Sequence, residues 1–97
     1  MTSKQRSYLK SMAQTLEPTF QIGKNGVTPE LVTAISESLE KRELLKVSVL
    51  NNCDLNPKDI MEMLSARTQS VPVQVIGKKL VIFKPSKNNP KITLPKA

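Results

Sequence analysis

The chain has 97 residues, with Lys+Arg 15 against Asp+Glu 8 and no histidine, for a net charge of +7. That is enough for one small domain with one core, too few for two, and its basic balance suits a polyanion: nucleic acid, or an anionic membrane surface. No apolar run approaches the ~20 residues of a membrane span, and the polar stretch Met1 to Arg6 has no apolar signal-peptide core behind it.

The pattern from Ser3 to Leu16 places Tyr8, Leu9, Met12, Ala13 and Leu16 on one face, which predicts an amphipathic helix. Lys4, Arg6 and Lys10 lie off that face, either as a solvated surface or as part of a cationic one. Pro18 ends the helix in this reading, because the residue before proline disfavours the helical region. A short strand follows over Thr19 to Ile22.

The next stretch, Gln21-Ile22-Gly23-Lys24-Asn25-Gly26-Val27-Thr28-Pro29-Glu30, organises the chain. Glycine permits positive φ and close approach of another backbone, and asparagine tolerates the left-handed region. Thr28 is a good N-cap, and Pro29 suits the first helical position. The stretch therefore reads as a glycine-bracketed loop carrying Lys24 and Asn25 into a helix N-terminus, where N–H groups and the helix dipole favour phosphate. The plain alternative is a hairpin turn at Asn25-Gly26. That alternative needs a strand after Gly26, whereas Thr-Pro-Glu-Leu reads as a helix start.

A second helix is expected from about Pro29 to Arg42, with Leu31, Val32, Ile35 and Leu39 on one face and Glu37, Glu40, Lys41 and Glu43 on its exposed side. Leu45 to Leu50 reads as a strand. Strand, helix, strand in this order suggests a parallel βαβ unit. After the polar loop Asn51 to Asn56, the Asn56-Pro57 cap signal opens a third helix that fades near Thr68. Its Ile60, Met61, Met63 and Leu64 read as core, although a methionine stripe can also mark a binding groove. Val71 to Ile76 and Lys79 to Phe83 flank Gly77-Lys78 as a hairpin with a type II′ turn. Pro72 cannot donate to a ladder and belongs at a strand start or on an edge.

After Glu62, the last acidic residue, come Arg67, Lys78, Lys79, Lys84, Lys87, Lys91 and Lys96. This one-signed half points to a polyanion, and Lys78-Lys79 sits on an ordered hairpin tip. The segment from Pro85, rich in Lys, Pro and Asn, is expected to be extended or partly mobile and to offer little core. The expected organisation is a domain over 1–86 and a basic tail over 87–97. Catalysis is not expected: the commonest general base is absent, and no nucleophile–base pair stands out. The lone Cys53 has no partner for a disulfide or a metal, which fits a reducing cytoplasm. No cofactor, metal, membrane or small-molecule substrate is expected.

These residues resemble the CRM domain (chloroplast RNA splicing and ribosome maturation), in particular the small stand-alone bacterial members of the YhbY family. The resemblance spans nearly the whole chain. It is carried by Ile22-Gly23-Lys24-Asn25-Gly26-Val27-Thr28, Leu44-Leu45-Lys46-Val47, Val75-Ile76-Gly77-Lys78 with Leu80-Val81, and Ile92-Thr93-Leu94-Pro95. It implies a single α/β domain ordered α-β-α-β-α-β-β, a four-stranded mixed sheet with packed helices, like the C-terminal domain of translation initiation factor 3. It also implies RNA binding through a GxxG loop, and for bacterial members an association with precursors of the large ribosomal subunit. The RNA-binding set expected here is Gly23, Lys24, Asn25, Gly26 and Thr28, with Lys4, Arg6, Lys10, Lys78, Lys79 and Lys84 around them, in a monomer. Tyr8, Phe20 and Phe83 are the only aromatics, and each sits in an apolar pattern. Recognition should then rest on backbone and shape rather than base stacking. A DNA-binding architectural protein and a protein-interaction module docking through Met61–Met63 are the rival readings.

Overall fold

The computed structural model describes residues 1–96. The elements are α1 (Ser3–Ala13), β1 (Phe20–Ile22), α2 (Pro29–Arg42), β2 (Leu44–Val49), α3 (Pro57–Thr68), β3 (Val71–Ile76) and β4 (Lys79–Phe83). This is the expected order. Thr28 and Asn56 cap α2 and α3 through their side chains, accepting from Leu31 N at 3.1 Å and Asp59 N at 2.9 Å. A proline follows each cap, where its missing N–H costs nothing. The first helix stops at Ala13, short of the expected Leu16. Leu16 N instead turns back to Ala13 O, and Leu16 packs against the core from a turn.

The sheet order is β1-β2-β4-β3, with β1 parallel to β2 and the other pairs antiparallel. The central strands β2 and β4 are buried nearly throughout, while β3 is an edge. That edge explains Pro72: it sits at a register shift between Pro72 and Gln74, where a missing N–H breaks no interior ladder.

Alternation along the strands splits the core in two. Leu45, Val47, Val49, Leu80 and Ile82 face α2 and α3, meeting Ile35, Leu39, Ile60 and Leu64. Leu44, Val81 and Phe83 face the other way, meeting Leu9 and Ala13 of α1. Truncating a fully buried side chain such as Leu80 to alanine is expected to cost ~2–5 kcal/mol. Met61 is buried and Met63 packs against the first cluster, so both methionines serve the core. Tyr8 departs from expectation. It is 42% exposed at the margin of the α1 stripe, because Leu9 and Ala13 occupy the space over the sheet.

The segment after Pro85 forms no helix or strand, and the expectation that it offers little core is corrected. Ile92 and Leu94 pack against the α1-side cluster. Two carboxylates expected on the exposed side of the helix, Glu40 of α2 and its C-cap Glu43, hold the intervening backbone instead. Glu43 is fully buried because tail donors reach it. Glu43 accepts from Ser86 N at 2.9 Å, Lys91 N at 2.5 Å and Ile92 N at 2.8 Å. Glu40 accepts from Ser86 Oγ at 2.8 Å and from the N–H groups of Lys87 and Asn88. Acceptors one and four positions upstream of a strand cannot be matched to donors 43 or more residues away from sequence alone.

Candidate nucleic-acid interface

Strand pairing decides where the glycine loop lies. Ile22 pairs with Val49, and Ser48 pairs with Lys79. The ends of β1 and β2 and the turn of the β3–β4 hairpin therefore share one end of the sheet. Two backbone bonds stitch them together: Leu50 N to Ile22 O at 2.8 Å, and Val49 N to Lys78 O at 2.7 Å. The loop Gly23–Gly26, the loop after β2 and the tip Gly77-Lys78 emerge side by side.

The two loop glycines answer different demands. Gly26 has φ +67°, closes a turn by donating to Gly23 O at 3.0 Å, and has open space where a Cβ would be. Its requirement is backbone conformation. Gly23 has no positive φ; a Cβ there would stand 3.2 Å from Asn52 Oδ1 and 3.4 Å from Leu50 Cδ1. Its requirement is room for the neighbouring loop. Lys24 and Asn25 between them are exposed. Thr28 is engaged as the α2 cap, so its hydroxyl positions the helix that backs the loop. One residue absent from the expected set also supports it: Arg67, from α3, donates Nη1 to Val27 O at 2.8 Å. In the sequence it stood only as one cation among many.

The remaining cations divide by position. Lys78 at the hairpin tip donates to Asn51 Oδ1 of the adjoining loop. Lys79 donates to Ser48 Oγ at 2.9 Å, across the β2–β4 pair. Lys79 lies on a part of the α1-side sheet face that the short helix leaves open. There Lys46, Gln74 and Ile76 join it around a cleft of about 130 Å³ beside Ala13 and Gln14. Ile76 is 60% exposed. Lys46, Gln74 and Ile76 were missed by reading the sequence; polar residues at alternate strand positions were the available signal.

Lys84 follows the opposite end of β4, where Nζ donates to Thr68 O at 3.1 Å and its backbone N–H to Glu43 O at 2.9 Å. Lys4, Arg6 and Lys10 lie on α1. Lys4 is exposed, Lys10 is half-buried, and the covered Nε of Arg6 lacks a hydrogen-bond partner. The structure thus brings Gly23–Gly26, Lys78 and Lys79 together and places Lys84 at the opposite end of the sheet, with Lys4, Arg6 and Lys10 on α1. Among the described residues no group of three His, Cys, Asp or Glu side chains could hold a metal, and no helix is long and apolar enough to cross a membrane.

At the other end of the sheet, two carboxylates are tuned by their partners. The Ser86 hydroxyl, then the Asn88 N–H, hold the Glu40 carboxyl below its ordinary value. Burial pushes Glu43 up, but the N–H groups of Ser86, Lys91 and Ile92 together outweigh it and hold it low as well.

Residues 1–84 match the CRS1 / YhbY (CRM) domain. The chain belongs to this family. The CRM domain here is 46% identical over 95 residues to "Probable RNA-binding protein YqeI" of Bacillus subtilis (strain 168), covering 98% of this chain and 99% of that protein. It is 33% identical over 96 residues to a Haemophilus influenzae protein named "RNA-binding protein", covering 99% and 96% of the two. Its fold is similar to the solution structure of the hypothetical protein SAV1595 from Staphylococcus aureus, with a TM-score of 0.82, 46% identity, and coverage of 98% and 99%. The two named relatives carry RNA-binding names rather than enzyme names.

Proposed function

We propose that this CRM domain binds RNA without catalysis, through the sheet end formed by Gly23–Gly26 and Lys78–Lys79 and the open sheet face beside it. The observation that carries the reading is the convergence of the glycine loop and the cationic hairpin tip. Lys24 and Lys78 offer charge, and Asn25 offers an amide donor. Gly26 holds the loop turn with nothing above it, leaving room for a phosphate. Lys46, Lys79 and Gln74 extend the surface onto the sheet. The RNA-binding names of the relatives support the choice of RNA over DNA.

The RNA is ribosomal RNA in precursors of the large ribosomal subunit, as the family resemblance implies. Crosslinking the protein to RNA in cells and sequencing the contacts tests this. Enrichment of large-subunit precursor RNA is the expected result; contacts spread evenly over messenger and transfer RNA overturn the ribosomal assignment. Competition between structured RNA and duplex DNA at matched salt tests the class of nucleic acid.

A further inference from the structure

A second concavity lies away from the glycine loop, between α1, the C-terminal end of α2 and the latched tail. It is a cleft of about 430 Å³. Met12, Leu16, Leu44 and Ile92 supply its apolar lining. Leu44 begins β2 and pairs with Phe83, so the cleft sits at the opposite end of the sheet from the loop. Lys41, Arg42 and Lys91 stand at its rim with one carboxylate, Glu17, and the hydroxyl of Thr19. The tail is part of the wall. Lys91 Nζ donates to Lys41 O at 3.0 Å, and Glu43 grips the backbone N–H groups of Lys91 and Ile92.

We infer that this cleft receives one unpaired nucleotide of the bound RNA, with its base against the apolar lining and its phosphate on the cationic rim. Three observations favour this occupant. The rim carries three cations against one anion, which suits a phosphate. The apolar lining is aliphatic, with a methionine whose thioether adapts to the face of a ring. Glu17 is an acceptor at the rim, and a carboxylate accepts from the exocyclic amino group of a base, as it does from cytosine N4. Uracil has no such donor, so the cleft prefers cytosine over uracil. The inference rests on the RNA-binding reading above but uses a different surface. RNA could engage the loop end and leave this cleft empty.

The test is an amide chemical-shift titration of the full chain with two short single-stranded RNAs, oligocytidylate and oligouridylate. Expected are shifts at Leu16, Glu17, Thr19 and Ile92 with oligocytidylate, weaker ones with oligouridylate, and separate shifts at Lys24 to Gly26 with both. Arg42→Ala should weaken the cleft site roughly threefold, as for one exposed ion pair. Glu17→Leu should erase a cytosine preference of roughly fivefold, one hydrogen bond's worth. Shifts confined to the loop end overturn the cleft assignment and leave the RNA-binding reading standing. No shifts anywhere overturn both. Shifts at the cleft with an acidic amphipathic peptide but with neither RNA assign the cleft to a protein partner and also overturn the proposal. Because Arg42 and Glu17 are exposed, unchanged melting of both variants separates lost binding from lost fold.

Discussion

The two ends of the sheet use their polar groups in opposite ways. At the end where β2 and β4 meet α2 and the tail, Glu40 and Glu43, behind the cleft rim, are satisfied by donors of the tail. Glu43 is fully buried, and three backbone N–H groups converge on its carboxylate. Its own backbone, at the C-cap of α2, is bent to φ +67°, an uncommon conformation for a residue with a side chain. At the loop end the backbone is equally well tied, yet Lys24 and Asn25 point at solvent and Gly26 has empty space above it. Both ends are polar and rich in loops. The difference is whether a polar group already has its partner: a satisfied one holds structure, and an unsatisfied exposed one is available to a ligand.

Removing the tail tests the first end most severely. Truncation after Ser86 strips Ile92 and Leu94 from the α1-side core and leaves Glu43 buried with fewer donors. A loss of about 3–4 kcal/mol in urea unfolding is expected. An unchanged midpoint would restore the view of the tail as an appendage. Glu43→Ala keeps the tail but removes its acceptor, and should cost about 2–3 kcal/mol, since each N–H left without a partner loses its bond.

Acid sharpens the same contrast. Both carboxyls titrate below their ordinary 4.5 in the folded chain. The stability they contribute is therefore fully present above that value and lost as pH falls through their lower folded values. Melting temperature should hold steady from neutrality down to roughly pH 5 and then drop; Glu43→Gln should make that acid limb shallower. A limb of equal steepness in the variant would show that other carboxylates govern it.

Smaller effects on stability are expected at the loop end, with larger ones on binding. Gly26→Val forces a branched side chain into the left-handed region and should cost about 1–2 kcal/mol by thermal melting. Lys24→Glu should leave stability within about 0.5 kcal/mol. The same change should weaken RNA affinity roughly tenfold and flatten the salt slope by about 0.7 per lost phosphate contact. If Lys24→Glu binds as the parent does while Lys78→Glu with Lys79→Glu abolishes binding, the loop is a connector and the hairpin tip is the site.

Much of this was legible along the chain. Cap-then-proline at Thr28-Pro29 and Asn56-Pro57, the Gly77-Lys78 turn and the apolar run of β4 are local signals, decided by residues within a few positions of one another. They determined the element order, and the glycine loop was visible as a strand-to-helix connection for the same reason. What the chain could not show depends on register and on contacts across many residues. Pairing of Ile22 with Val49 and of Ser48 with Lys79 decided that the loop and the hairpin tip share an end, and that Lys84 does not. The early end of α1 decided that Lys46, Gln74 and Ile76 stay uncovered. Glu43 read as one more charge on a helix surface. Only folding, which brings donors from Ser86 to Ile92 onto it, made it the buried anchor of a tail whose composition suggested mobility. A carboxylate's burial is set by the partners that reach it, and those partners lie too far along the chain for local pattern to specify.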